Sequence, residues 1–143
     1  MGISVKINGL ANASKRLQSV PAKCLKEIAN GVNQAAAVVE AGAKRNCPVD
    51  TGLLRESIHT RPAAVKGSDV EASVYTGIEY APYVEFGTGS RGGYPYDTKL
   101  PLSYKKGWPG QAAQPFLGKS LNENKATVQK IIQDATNRGL SNV

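Results

Sequence analysis

Residues 25–52, LKEIANGVNQAAAVVEAGAKRNCPVDTG, decide the fold because they join the longest helical pattern of the chain to a sharp turn. The helical pattern is an apolar stripe at steps of three or four residues, which predicts a long amphipathic helix, and its members are Leu25, Ile28, Val32, Ala35, Val39 and Ala43. Ser19 and Pro21 mark a plausible start, and Pro48 ends the helix because the residue before a proline is driven out of helical geometry. Gly31 and Gly42 weaken the helix by about 1 kcal/mol each relative to alanine, but they also permit close approach of a neighbour.

The turn contains Asp50-Thr51-Gly52, the tripeptide of aspartic proteases. That chemistry requires two carboxylates about 3 Å apart, so a chain with one such motif would have to dimerise. The residues that lead into the motif come from a polar helix end rather than a buried strand. We therefore interpret the tripeptide as a corner, in which Asp50 and Thr51 accept backbone N–H bonds and Gly52 adopts a positive φ. The dimeric protease remains a remote alternative.

Around this corner the sequence predicts a small antiparallel sheet. Ile3, Val5 and Ile7 alternate with polar residues, and residues 54–60 and 70–75 indicate two more strands joined by a turn at 66–69. After the corner, Leu53 or Leu54 is expected to enter the core, and Arg55 to reach Glu79 or Glu85. A short helix at 81–86 should end at Gly87, and a last helix should run from about 114 to 138 and stop at Gly139. The expected fold is α+β, a single domain over residues 1–143, with the long N-terminal helix and the C-terminal helix packed on the sheet.

Residues 87–113 form a long segment without a regular period, with six glycines and three prolines. Loops longer than about 12–15 residues are uncommon in compact domains unless they are functional or disordered. Its aromatic residues argue against a plain linker, so we expect this loop to contact a partner protein. The same residues could form a basic, stacking surface for nucleic acid, which is the main alternative. The predicted contact residues are Arg91, Tyr94, Tyr96, Lys99, Tyr104, Lys105, Lys106 and Trp108.

No other constellation indicates catalysis. His59 is the only histidine, and the Gly-rich run at 87–93 lacks the Gly-Lys-Ser/Thr ending of a phosphate-binding loop. Cys24 and Cys47 lie at opposite ends of the predicted helix, too far apart for a disulfide. The expectation is a protein without enzyme activity, cofactor or metal, with free thiols and no membrane span, made and used without export.

The net charge of +7 is unevenly distributed along the chain. Residues 1–49 carry seven basic and two acidic groups, whereas residues 50–86 carry three basic and six acidic groups. The remaining residues, 87–143, are again basic. An acidic middle between basic ends is compatible with copies that dock head to tail.

Three segments in order resemble the tail-completion, or head–tail joining (neck), proteins of long-tailed bacteriophages, the tail-component type. The segments are AKRNCPVDTGLLRESI, VYTGIEYAPYVEFGTG and QPFLGKSLNENKATV, and they spread over nearly the whole chain. Cys47 stands where alanine is common in that family. The residues that carry the resemblance are Pro48, Asp50, Thr51, Gly52, Leu53, Arg55, Ser57, Ile58, Tyr80, Ala81, Glu85, Phe86, Gly87, Thr88, Pro115, Phe116 and Leu117.

The resemblance implies a structural virion protein that completes the tail. Such proteins form a ring, six copies being favoured, where the tail meets the head connector around the DNA channel. The implied partners are further copies of the chain, the head connector, and tail-terminator or tail-tube proteins, with unspecific contact to channel DNA. The implied location is the neck of the virion, after assembly in the host cytoplasm.

Overall fold

The computed structural model describes residues 3–9, 22–48, 52–66, 69–87 and 110–141. These residues form an α+β fold of three strands and five helices, which confirms the predicted fold class. The strands are β1 (Ile3–Gly9), β2 (His59–Lys66) and β3 (Asp69–Thr76). The helices are α1 (Ala22–Asn46), α2 (Leu53–Glu56), α3 (Ala81–Phe86), α4 (Phe116–Glu123) and α5 (Lys125–Ser141).

The sheet is antiparallel with strand order β1-β3-β2, so the predicted hairpin forms and β1 adds to its far side. The alternation in β3 places Val70, Ala72 and Val74 on the buried face. The opposite face is polar, and there the Arg61 guanidinium lies 4.9 Å from the centre of the Tyr75 ring. One face of the sheet therefore faces the core and the other does not, as expected for period-two patterning.

Helix α1 is the centre of the fold, because it packs on all three strands and also on α4 and α5. Its stripe residues Ile28, Val32, Ala35, Val39 and Ala43 are fully buried. Helix α1 is also joined to the sheet by polar contacts: the Asn33 side chain accepts a bond from the backbone N–H of Ala63 at 2.7 Å. The long helix thus joins two layers, the sheet on one side and the C-terminal helices on the other.

Gly31 and Gly42 lie where α1 meets the C-terminal helices. A Cβ added at Gly31 would come within 2.2 Å of the Ala135 Cβ on α5, and one at Gly42 within 2.3 Å of the Ser120 Oγ on α4. Ser120 is fully buried and donates to the Val39 carbonyl at 2.7 Å. The small residues in the helical pattern therefore allow α4 and α5 to approach α1 closely, as predicted.

The prediction of a strand from residue 54 was wrong. Residues Leu53–Glu56 form one helical turn, and β2 begins only at His59. The helical turn is closed by the Glu56 N–H, which donates to the Gly52 carbonyl at 3.0 Å, and by the Ser57 hydroxyl, which donates to the Leu54 carbonyl at 2.6 Å. A short run with two leucines does not separate a helical turn from a strand by periodicity.

The single C-terminal helix predicted for 114–138 is instead two helices with a break at Asn124, whose backbone is non-helical. The Asn124 side chain donates to the Ser120 carbonyl of α4 at 2.9 Å, and its own carbonyl accepts the Val128 N–H at 2.8 Å. Gly139 does not end the second helix. It is buried inside α5, where a Cβ would lie 3.0 Å from the Cys24 carbonyl oxygen.

Both cysteines are buried and free, as the helix length predicted. Among the described residues, no helix is both long and apolar enough to cross a bilayer. The predicted helix start at Ser19 and Pro21 lies outside the described residues, as do Asp50, Thr51 and Thr88.

Candidate functional site

The corner between α1 and the sheet is built around Gly52 and the turn that follows it. Gly52 has φ 81° and ψ −8°, the left-handed conformation predicted for it. Leu54 is buried, whereas 55% of Leu53 is exposed. Of the two leucines, Leu54 therefore enters the core and Leu53 is largely exposed.

Arg55 does not reach Glu79 or Glu85, and that prediction was wrong. Its Nε donates to the backbone carbonyl of Lys44 at 3.0 Å. Lys44 lies in the last turn of α1, where carbonyls have no partner within the helix and the helix dipole attracts a positive charge. Arg55 therefore fixes the end of α1 to the corner.

The Ser57 hydroxyl connects the corner to the sheet. It lies 2.6 Å from the Thr76 hydroxyl at the end of β3, and Thr76 in turn accepts the Ile78 N–H at 3.3 Å. Thr76 and the adjacent Ile58 are buried, whereas Ser57 is partly exposed, so this small network lies at the margin of the core. The first resemblance segment thus holds α1, the corner and the end of β3 in one arrangement.

Replacement of Gly52 by valine should damage folding more than any change at Asp50. A side chain in the left-handed conformation costs roughly 1–2 kcal/mol, and a β-branched residue costs more. We expect Gly52→Val to lower the free energy of unfolding by about 2 kcal/mol or more, Gly52→Asn by less than half of that, and Asp50→Asn by almost nothing. Urea unfolding of the three variants measures this ranking. A catalytic aspartate would give the opposite order in an activity assay, with Asp50→Asn the most damaging.

The second and third resemblance segments meet at Glu85, which is 1% exposed. Its two carboxylate oxygens accept the backbone N–H groups of Leu117 at 3.0 Å and Gly118 at 2.9 Å. These N–H groups belong to the first turn of α4, where the helix has unsatisfied donors and a positive dipole end. Glu85 on α3 therefore caps α4 from a different part of the chain.

A backbone bond closes the same junction: the Gln114 N–H donates to the Val84 carbonyl at 2.8 Å. Gly87 and Gly110, the described residues next to segment 88–109, both have positive φ, 79° and 61°. We call the junction formed by residues 84–87 and 110–118 the loop base. Bonds within the loop base hold together the described parts of the chain that precede and follow segment 88–109.

Little in this region suits catalysis. Burial raises the pKa of the Cys47 thiol; Arg55 opposes the rise and the carboxylate of Glu85 adds to it, so the thiol stays protonated at neutral pH. Among the described residues, no group of three or more His, Cys, Asp or Glu side chains could hold a metal ion. The arrangement fixes residues 84–87 next to residues 114–118.

Of the residues singled out in the sequence, the structure brings Glu85, Phe86, Phe116 and Leu117 together at the loop base. Ala81, Phe86, Phe116 and Leu117 are buried near the loop base, whereas 44% of Tyr80 is exposed. The predicted partner-contact residues, from Arg91 to Trp108, all lie outside the described residues, as do Asp50, Thr51 and Thr88. Contact of this segment with a partner therefore stays a prediction.

Sequence reasoning missed two polar positions that hold the layers together. Ser120 bonds to the Val39 carbonyl, and Glu40 is bonded by the Thr60 hydroxyl and by Lys44. Burial opposes ionisation of Glu40, but these two bonds outweigh it and lower its pKa. The only sequence signal for such positions was a polar residue inside an apolar helical pattern.

A comparison with protein families identifies a match for the first part of the chain. Residues 11–87 match the model of the HK97-gp10-like family, described as "Bacteriophage HK97-gp10, putative tail-component". No curated relative and no solved structure matches the chain significantly. The matched residues cover α1, the corner, the sheet hairpin and α3, including Glu85, and they make up more than half of the chain. The chain therefore belongs to the HK97-gp10-like family of bacteriophage tail components.

Proposed function

We propose that this phage tail component completes the tail as part of the neck ring, which joins the tail to the head connector around the DNA channel. The observation that carries the proposal is the loop base. A buried carboxylate and a backbone bond fix both ends of a 22-residue segment, 88–109, at one place on a compact scaffold. Binding segments held by rigid elements are a common way to build protein contacts.

The composition of segment 88–109 supports a role in contacts between proteins. It contains three tyrosines, one tryptophan and four basic residues, and aromatic residues and arginine are enriched at interfaces. A contact made by every copy to the next copy would generate a ring when the rotation closes. We propose six copies, with the head connector on one side and the tail terminator or tail tube on the other.

Charge supports the same proposal. The chain carries +7 overall, and basic groups that face the channel would attract passing DNA without reading its sequence. The role is structural rather than catalytic, and the protein assembles in the host cytoplasm before it becomes part of the virion. A stand-alone nucleic-acid-binding module remains the alternative, and tight, sequence-selective binding of nucleic acid would indicate it.

Replacing residues 94–108 with a Gly/Ser linker of equal length should abolish completion of particles while the scaffold still folds. The linker keeps the loop base, because the bonds from Glu85 and Gln114 are made outside the replaced residues. A phage that lacks this gene would be complemented in trans with the variant or with the natural chain. We expect the variant to give no more plaques than an empty plasmid, with DNA-filled heads and separate tails in electron micrographs.

The matched control exchanges only Lys105 and Lys106 for serine, which removes charge but keeps the aromatic residues. This control should restore particles at least in part. Normal particles from the linker variant would contradict the proposed role of the segment. Absent or abnormally long tails in the gene-deleted phage would instead place the protein in the tube or its length control.

A further inference from the structure

The two edges of the sheet are different. Edge strand β2 is irregular, because its pairing with β3 shifts register between Arg61 and Ala64, and Pro62 lies inside the shift. The Ala63 N–H donates to the Asn33 side chain of α1 and not to a strand. A bulge and a proline are common devices that prevent an edge from pairing with another strand. Edge strand β1 has neither, and it pairs regularly with β3 from Ile3 to Gly9. Within the described part of the chain, β1 is therefore the edge open to a further strand.

Beside β1 lies an open groove of roughly 330 Å³ between this strand and helices α4 and α5. The groove is apolar at its base and polar or basic around it, with Asn122, Lys125 and Gln129 among the lining residues. The apolar residues are Ile7, Leu121, Val128 and Ile132. A strand added to β1 would point every second side chain at these residues.

The central part of segment 88–109 has the pattern that such a strand needs. The segment as a whole has no regular period, but residues 94–104, YPYDTKLPLSY, alternate. Every even position except Thr98 is aromatic or aliphatic, whereas the odd positions are proline, charged or serine. Alternation over this length predicts a strand with one apolar face.

The prolines and the charged residues of this segment are compatible with one orientation of the added strand relative to β1 and the groove. Pro95 and Pro101 are six residues apart, so the N–H groups that they lack would lie on the same edge of the strand. Proline is tolerated in a sheet when that edge faces away from the partner strand. Asp97 would lie on the polar face of the sheet, the face that also carries Lys6, whose side chain is 66% exposed.

We propose that residues 94–104 of a second copy of this chain add as a fourth strand along β1, with their apolar face in the groove against Leu121, Val128 and Ile132. The proposal rests on the proposed ring, and it names the contact that joins one copy to the next. Main-chain bonds would supply affinity, and the groove would supply specificity. The flanking residues, 88–93 and 105–109, can each span roughly 16–20 Å when extended, which gives the strand a tether on each side.

The alternation provides a matched pair of variants at neighbouring positions. Leu102→Asp places a carboxylate on the apolar face, whereas Ser103→Asp places the same carboxylate on the opposite face. We expect Leu102→Asp to weaken self-association by at least about tenfold, since it removes the burial of a leucine, and Ser103→Asp to change it little. Light scattering of the concentrated protein and the copy number in purified particles measure both. Equal effects of the two variants would overturn the proposal.

Cross-linking then tests whether the added strand comes from a second copy or from the same copy. One batch carries Lys6→Cys and the other carries Asp97→Cys, and the buried native thiols leave the added ones as the reactive pair. The batches are mixed in solution and also supplied together to the gene-deleted phage. A short thiol cross-linker should give covalent dimers only in the mixture.

A chain that carries both cysteines serves as the control for strand addition within one copy. If it gives only internally linked monomer, or if no link forms, the proposal is overturned. Failure of the ring itself would appear separately, as particles that assemble normally without the gene.

Discussion

Replacing Glu85 with alanine is expected to lower the free energy of unfolding by about 4 kcal/mol, because two buried N–H groups lose their acceptor at roughly 1–3 kcal/mol each. The groups are those of Leu117 and Gly118, which the Glu85 carboxylate holds at 3.0 and 2.9 Å. Glu85→Gln keeps one acceptor oxygen where the natural side chain has two. We expect it to cost about half as much. Guanidinium unfolding followed by circular dichroism measures both values.

Glu123 offers the matched control, since it is an exposed glutamate at the other end of the same helix α4. Glu123→Ala should change stability by no more than about 0.5 kcal/mol. If Glu85→Ala and Glu85→Gln were both as mild as this control, the carboxylate would not be the cap of α4. A loss of particle completion by Glu85→Gln at a temperature where the protein stays folded would further link the loop base to assembly.

The position of Glu85 explains why the resemblance segments are spread along the chain. The end of α1 is fixed by Arg55, the end of β3 is fixed by Ser57, and the start of α4 is fixed by Glu85. These three contacts surround the C-terminal end of α1 and the loop base. Arg55, Ser57 and Glu85, which were singled out in the sequence, therefore have structural contacts that join separate elements of the fold.

Periodicity was sufficient to predict α1, β1 and β3. The apolar stripe of α1 and the alternation in β1 and β3 are each long enough to define a face, and they lie where predicted. The left-handed Gly52 and the short helix ending at Gly87 were also predicted, because glycine and proline have specific backbone preferences. Local rules of this kind depend only on neighbours in the sequence.

Two of the errors involve contacts between residues distant in the sequence. Gly139 was expected to end a helix, yet α5 continues through it, and its lack of a side chain lets α1 lie close. Arg55 binds the Lys44 carbonyl rather than Glu79 or Glu85. The other two errors, the helical turn at Leu53–Glu56 and the break at Asn124, involve bonds between residues three or four apart, and the periodicity of such short runs does not reveal them. For the candidate site, the sequence identified Glu85 as part of a motif but not as the cap of α4.

Gly31→Ala is expected to lower the free energy of unfolding by about 2 kcal/mol, although alanine is the better helix former by about 1 kcal/mol. The reason is the crossing of α1 and α5, where the new Cβ would lie 2.2 Å from the Ala135 Cβ. Either the helices separate, which opens the core, or the backbone bends. Thermal and urea unfolding of the variant measure the loss.

Two further variants separate steric contact from helix propensity. Ala37→Gly, on the exposed side of α1, measures propensity alone and should cost about 1 kcal/mol. Ala135→Gly should restore space for the added Cβ. The double variant, Gly31→Ala with Ala135→Gly, should therefore be about 2 kcal/mol more stable than the sum of the two single effects predicts. Simple additivity would mean that the two helices do not meet at this point.

Because the same close approach recurs at Gly42 and Gly139, the packing of α4 and α5 on α1 depends on small residues at three crossings. That packing also places the groove next to β1, so Gly31→Ala should weaken self-association only together with stability, whereas Leu102→Asp should weaken self-association alone.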